Sequence, residues 1–227
     1  MPELAPAAVT SAAAPPTPPW AALLERFYER TSLPVPTLQR LRDDEVPPPY
    51  KSLLVHSADM TPTLEKYHQD RLGLEVLRRV VLGSGEYLRE VVLTLAGNSR
   101  PVEYGVIRIW LKRFPEAARQ LVLEEQRPLG GILLSEGIAH VSWPHAFFRV
   151  EADAHIGSAL RLQHAAPLYG RRNVLLNGSR HLLAEVIEIL PPVNGVAKVP
   201  PPDGRVGPFA VAPELTHLEP PKGGTSH

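Results

Sequence analysis

The chain has 227 residues, 44% of them hydrophobic, enough for one core of ordinary size with tails. Its 24 Lys and Arg balance 24 Asp and Glu, so no basic excess is present to serve nucleic acid or an anionic membrane. With no cysteine, disulfides, thiolate zinc sites, iron–sulfur clusters and cysteine nucleophiles are excluded.

No apolar run approaches the ~20 residues that cross a bilayer. Glu3 and repeated prolines occupy the place where a secretory leader would carry a basic start and an apolar segment, so a cytoplasmic location is expected. Residues 1–19, almost all Ala, Pro, Thr and Ser, and the Pro/Gly-rich stretch 193–227 cannot bury enough apolar surface to offset their ordering entropy, and both are expected to be flexible tails. Between them an N-terminal helical segment, 20–48, precedes a domain over 49–192.

Within 20–48, Leu23, Leu24, Phe27 and Tyr28 stand at helical spacing until Leu33-Pro34-Val35-Pro36 breaks the pattern. Thr37–Asp44 is read as a second short helix before Pro47-Pro48-Pro49. Ser57 or Asp59 caps a helix through Leu64, Tyr67 and His68, with Pro62 tolerated in its first turn. Leu74–Leu82 and Glu86–Ala96, joined through Gly83-Ser84-Gly85, read as a β-hairpin, and Pro101–Leu111 as a third strand. Phe114–Gln126 has helical periodicity, a short helix follows Pro128-Leu129-Gly130, and Ala146–Val150 is a short strand. Tyr169–Leu176 and His181–Leu190 flank Asn177-Gly178, the mark of a tight type I′ hairpin. Short turns imply antiparallel pairing, so the class is α+β: a single antiparallel β-sheet with helices on one face.

Two charges stand out. Alternation along Tyr87–Leu95 places Arg89 with Val91, Leu93 and Leu95 on the more apolar face, where a guanidinium needs partners. Along the last strand, Glu185 shares a face with Leu183 and Ile187, and Glu188 shares the other with Ala184 and Val186. Alternation alone points no further than an Arg–Glu salt bridge across the sheet. The histidines, His140, His145, His155 and His164, lack metal-ligand spacing, and Ser135, Ser142 and Ser158 lack a nucleophile-elbow setting. Arg171-Arg172 reads as a solvated pair at a strand edge.

An ordered set of short motifs resembles the chorismate lyases. Leu53-Leu54-Val55 with Asp59-Met60-Thr61 is similar to that family's helix lead-in, and Leu88-Arg89-Glu90 to its Leu-Arg-Glu strand. Gly97 and Pro101-x-x-x-Gly105, Pro128-Leu129-Gly130, Tyr169-Gly170-Arg171-Arg172, and Gly178 followed by Leu182-Leu183-Ala184-Glu185 continue the likeness over about 140 residues. Val106 stands where the family carries an arginine, with Arg108 or Arg171 as substitutes, and Tyr169 where it carries a tryptophan. The resemblance implies an antiparallel sheet with the ligand enclosed beneath helical flaps. It implies a carbon–oxygen lyase that converts chorismate to 4-hydroxybenzoate and pyruvate, with no metal or organic cofactor. Arg89 would hold the ring carboxylate through its fork of donors, and Glu185 would act as the acid, kept protonated by burial. Met60 and Leu129 would complete the substrate-binding set, Leu129 through its backbone N–H. Glu188 takes the place of Glu185 if the strand is in a different register.

The implied partner is a small molecule, chorismate or an aromatic carboxylate, acting on a monomer with no nucleic-acid or membrane partner. A non-catalytic binding or sensor domain of the same fold is the alternative, because fold alone does not fix function. The first fifty residues are too short and proline-broken for a winged-helix domain, so a complete transcription regulator is not expected. A related lyase making another hydroxybenzoate is a third reading.

Overall fold

The computed structural model describes residues 17–29 and 33–193; the two segments expected as tails lie outside them, save 17–19 and 193. The described chain runs α1 (Ala22–Tyr28), β1 (Leu38–Leu41), α2 (Tyr50–Leu54), α3 (Met60–His68), β2 (Leu72–Val81), β3 (Glu86–Leu95) and β4 (Pro101–Trp110). It continues through α4 (Glu116–Glu124), α5 (Leu129–Ser135), β5 (His140–Glu151), α6 (Ala154–Ala159), β6 (Pro167–Asn177) and β7 (Leu182–Leu190). The strands form one sheet in the order β1-β5-β6-β7-β4-β3-β2, every pair antiparallel, so the α+β class and the single antiparallel sheet stand.

Helices cover both faces of this sheet. On the front, α4 and α5 pack on Tyr87, Ile107, Ile109 and Val186, while α2 and α3 pack on Leu93, Leu95 and Leu190. On the reverse, Leu23, Leu24, Phe27 and Tyr28 of α1, with Ile156 of α6, bury Val92, Tyr104, Val106, Phe148 and Ile187. The expected one-sided cover is therefore corrected. α1 packs in the reverse-face core and β1 pairs in the sheet. Cover on both faces is why β3 and β4 are buried along nearly their whole length instead of alternating with polar residues.

Three local expectations change. Leu38–Leu41 is a strand: its pairing with Phe147–Val150 supplies backbone hydrogen bonds that a four-residue helix would lack. β5 begins six residues before the expected Ala146, because the register shift between Pro144 and Ala146 absorbs a proline inside the strand. The β6–β7 turn is longer than a two-residue type I′ turn. Asn177 N–H donates to the His181 carbonyl at 2.9 Å, and Arg180, not Gly178, adopts positive φ (62°). The Asn177 side chain caps this loop, its Oδ1 accepting from Ser179 N and His181 N.

Gly170 lets aromatic packing press directly on the reverse face. A Cβ there would lie 2.4 Å from the Glu188 carbonyl oxygen and 2.6 Å from the Phe148 ring. Trp20 stacks on that same ring at 5.3 Å.

Candidate functional site

Between the two front-face apolar clusters lies a cavity of about 60 Å³. Its floor is sheet: Arg89, Val91 and Leu93 from β3, Glu103 and Ile107 from β4, Val186 and Glu188 from β7, Asn173 and Leu175 from β6. Its roof is the start of α3 (Asp59, Met60, Thr61) and the start of α5 (Pro128, Leu129, Gly130). The roof closes because Gly130 has no side chain: a Cβ would stand 2.8 Å from Thr61 Oγ1.

The register fixes the floor plan. Arg89 opposes Ile107, Ile107 opposes Val186, and Val186 opposes Asn173, so Arg89 and Asn173 face each other across two intervening strands. At ~4.8 Å per strand, their Cα atoms are ~14 Å apart, a gap their side chains narrow from both sides. The next row runs Val91, Gly105, Glu188, Arg171. Glu103 leans over Gly105, its Oε1 3.3 Å from where a Cβ would be.

Arg89 is 1% exposed, Glu103 4% and Asn173 2%. Each carries a buried polar atom without a hydrogen-bond partner: Arg89 Nε, Glu103 Oε2 and Asn173 Oδ1. Arg89 donates from Nη1 to the Val122 carbonyl at 3.5 Å and lies near Tyr87 and the Glu125 charge, which favour its charged form, but burial outweighs them and lowers its pKa. Asn173 donates from Nδ2 to Ser142 Oγ at 2.9 Å. Burial first, then the Glu188 charge, raises the Glu103 carboxyl well above the usual range, which keeps it neutral. Unsatisfied buried groups are rare and costly in a finished core, and among the described residues three stand around this cavity.

Arg171, by contrast, is fully committed. Nε donates to Glu188 at 2.5 Å, Nη1 to the Leu54 and His56 carbonyls at 3.2 and 3.0 Å, and Nη2 to the Ala58 carbonyl at 3.2 Å. It pins the α2–α3 connection to the floor and neutralises Glu188, so it is no second carboxylate grip. His56 in that connection donates from Nε2 to the Leu53 carbonyl at 2.7 Å, and burial with the Arg171 charge pushes its pKa down to about 4. A second pin holds α3. Asp59 occupies its N-cap position, yet its carboxylate accepts from His140 Nε2 at 2.8 Å instead of capping. That bond raises the His140 pKa.

Of the residues singled out in the sequence, Arg89, Met60 and Leu129 line the cavity together. Glu185 does not. It lies on the reverse face, accepting from Arg172 Nε at 2.9 Å and opposing Arg108 in register. Glu188, the other register's candidate, lines the cavity. Sequence reasoning missed Asn173, which sits unmarked beside Arg171-Arg172, and did not single out Glu103. A carboxylate in the apolar run Pro101–Leu111 was the available signal.

No protein-family model matches this sequence, and no curated protein matches it significantly. Solved structures similar to it include the effector domain of PhnF from Mycobacterium smegmatis, at 15% identity and TM-score 0.45, covering 67% of this chain and 91% of that one. The longer PhnF structure has the same identity and TM-score and covers 60% of this chain, which spans 64% of its length. A third is the ligand-binding domain of a candidate GntR-family transcriptional regulator from Bordetella bronchiseptica, at 16% identity and TM-score 0.41, covering 56% and 92%. The expectation of a lyase is not supported: these similar structures include an effector domain and the ligand-binding domain of a regulator, and at these identities and TM-scores they share with this chain the fold alone. The sheet stands between Arg89 and Glu185, so Glu185 does not share the cavity with Arg89, whereas Glu103 and Glu188 do. The likeness to the chorismate lyases is one of fold.

Proposed function

We propose that this chain is a non-catalytic binding domain for a small, monoanionic aromatic carboxylate, seated in the cavity beneath α3 and α5 with its carboxylate on Arg89. The observation that carries this reading is the buried Arg89 guanidinium, which lines the cavity and forms no ion pair with a carboxylate among the described residues, the nearest acidic influence on it being Glu125. A fork of donors meets a carboxylate with two parallel hydrogen bonds, and in a dry site such a bond is strong. The charge balance suits one negative charge, because Glu188 pairs with Arg171, Asp59 pairs with His140, and burial favours the neutral form of Glu103.

The walls, Met60, Leu74, Val91, Leu93, Ile107, Leu129, Leu175 and Val186, suit an apolar ring. At about 60 Å³ the cavity is tight for one, since an apolar cavity of roughly 150 Å³ takes benzene. Unbranched Met60, at the roof, is the lining side chain best able to move aside.

Isothermal titration with benzoate tests the reading. Wild type is expected to bind, Arg89→Met to lose about 100-fold in affinity, and chorismate incubated with the protein to release no pyruvate. No binding by wild type, or equal binding by Arg89→Met, overturns it.

A further inference from the structure

The roof of the cavity has an outer side. There α3 and α5, in contact at Thr61 and Gly130, bound a groove of about 320 Å³, against about 60 Å³ for the cavity beneath. Ligand pockets commonly run to roughly 300–1,000 Å³, so the groove has room for a whole small molecule. We infer that it is a second binding site, for an amphipathic monoanion with an unbranched aliphatic chain and one carboxylate.

Gly131 is the residue that points to an occupant. Its neighbour Gly130 is explained by packing, since a Cβ there would stand 2.8 Å from Thr61 Oγ1. A Cβ at Gly131 would meet no atom within 4 Å, and its backbone is helical, so neither packing nor conformation calls for glycine. Glycine is a poor helix former, and what its missing side chain preserves is the depth of the groove. The other apolar lining residues are Pro62, Leu72, Pro128 and Leu134. Leu134, 74% exposed, is the most exposed large hydrophobic residue among those described, and a chain lying against it would take that surface out of water. Among the described residues no aromatic side chain lines the groove, so it offers a ring no stacking partner and a chain its aliphatic contacts.

The rim is charged unequally. Glu65, the one carboxylate among the described lining residues, is occupied: its Oε1 accepts from Leu72 N at 3.2 Å and its Oε2 lies 3.6 Å from Arg71 Nη1. Arg127 has no carboxylate partner among the described residues, its Nη1 donating to Ser135 Oγ at 3.3 Å. Two guanidiniums against one carboxylate leave a single positive charge, which one carboxylate on the ligand balances through a fork of donors. Both arginines are exposed, so this pairing sets the sign of the ligand's charge while the buried chain supplies most of the affinity.

Calorimetry with hexanoate, octanoate and uncharged 1-octanol tests this on wild type, Gly131→Leu and the double variant Arg71→Gln/Arg127→Gln, with thermal unfolding of each. Octanoate is expected to bind wild type about tenfold tighter than hexanoate, because each buried methylene adds up to about fourfold, and about tenfold tighter than 1-octanol. The double variant is expected to lose the preference for octanoate over 1-octanol. Gly131→Leu fills the groove at a residue that does not line the cavity, and is expected to abolish octanoate binding with no fall in unfolding temperature. No octanoate binding by wild type overturns the inference, and so does octanoate binding that survives in Gly131→Leu, which locates it elsewhere. Equal affinity of wild type for octanoate and 1-octanol overturns it too, as contact without charge recognition. If Gly131→Leu is destabilised, the double variant decides, and an unchanged octanoate affinity there overturns the inference. Benzoate has no part in this experiment, so its outcome leaves the Arg89 reading as it stands.

Discussion

The two faces of the sheet both bury charge, and they treat it in opposite ways. On the reverse face Glu90 is fully buried and fully answered: Arg78 and His155 donate to it, and Tyr104 OH donates at 2.6 Å. Burial alone would raise its pKa, but these donors hold it below the ordinary carboxylate value. On the cavity face Arg89, Glu103 and Asn173 are as deeply buried and each keeps an atom without a partner. A satisfied cluster locks α6 and β2 onto the sheet. An unsatisfied set stores cost that only a guest can relieve. On the proposed reading the same sheet carries a structural network on one side and a recognition surface on the other.

The comparison breaks first if Glu90 proves dispensable. Glu90→Gln leaves Arg78 and His155 without their carboxylate and is expected to cost about 3 kcal/mol in urea unfolding, with ligand binding by the surviving folded protein intact. A loss below about 0.5 kcal/mol would make the reverse-face network ornamental. Next comes the roof. Gly130→Ala drives a methyl into Thr61 and is expected to cost about 1–3 kcal/mol in stability and to weaken benzoate binding. Thr61→Ala in the same chain should return part of both, and a double-mutant cycle without coupling would contradict the close α3–α5 contact.

The two pins of the roof respond to pH in opposite directions. His56 is held neutral, its pKa depressed, so the unfolded chain binds more protons between about pH 6.5 and about pH 4 and stability falls as pH falls through that window. His140 has a raised pKa, so its contribution is complete below pH ~6.5 and is lost as pH climbs through its folded value. The unfolding midpoint is expected to pass through a maximum near neutrality. His56→Gln should flatten the acid limb and His140→Gln the alkaline one. Profiles unchanged by both would remove the pins from the account. The smallest effect belongs to Glu185. Paired with a partly exposed Arg172, Glu185→Gln is expected to change stability by less than ~1 kcal/mol and to leave ligand affinity where it is.

Much of this floor was legible in the sequence, and the reasons for the rest are physical. Period-two alternation gave the facing of Arg89 correctly and put Glu185 and Glu188 on opposite faces. It could not say which carboxylate faced the cavity, because a strand covered on both faces has two apolar rows. The answer depends on the neighbouring strand, where Arg171 and Arg172 alternate in the same way and each meets the glutamate on its own side. Asn173 was silent for a similar reason: its meaning lies in facing Arg89 three strands away, which no local pattern records. Pro144 hid the first half of β5, and α1 was found as a helix while its burial under the sheet was not, since nothing in seven residues tells which surface they cover.

The central claim is that Arg89 is buried for a ligand and not for the fold. Equilibrium unfolding of Arg89→Met, with and without saturating benzoate, tests it most directly. The expected result is a ligand-free variant within ~1 kcal/mol of wild type or more stable, with the benzoate-induced stabilisation seen in wild type gone. A variant destabilised as much as Glu90→Gln, or one still stabilised by benzoate to the wild-type extent, would contradict it.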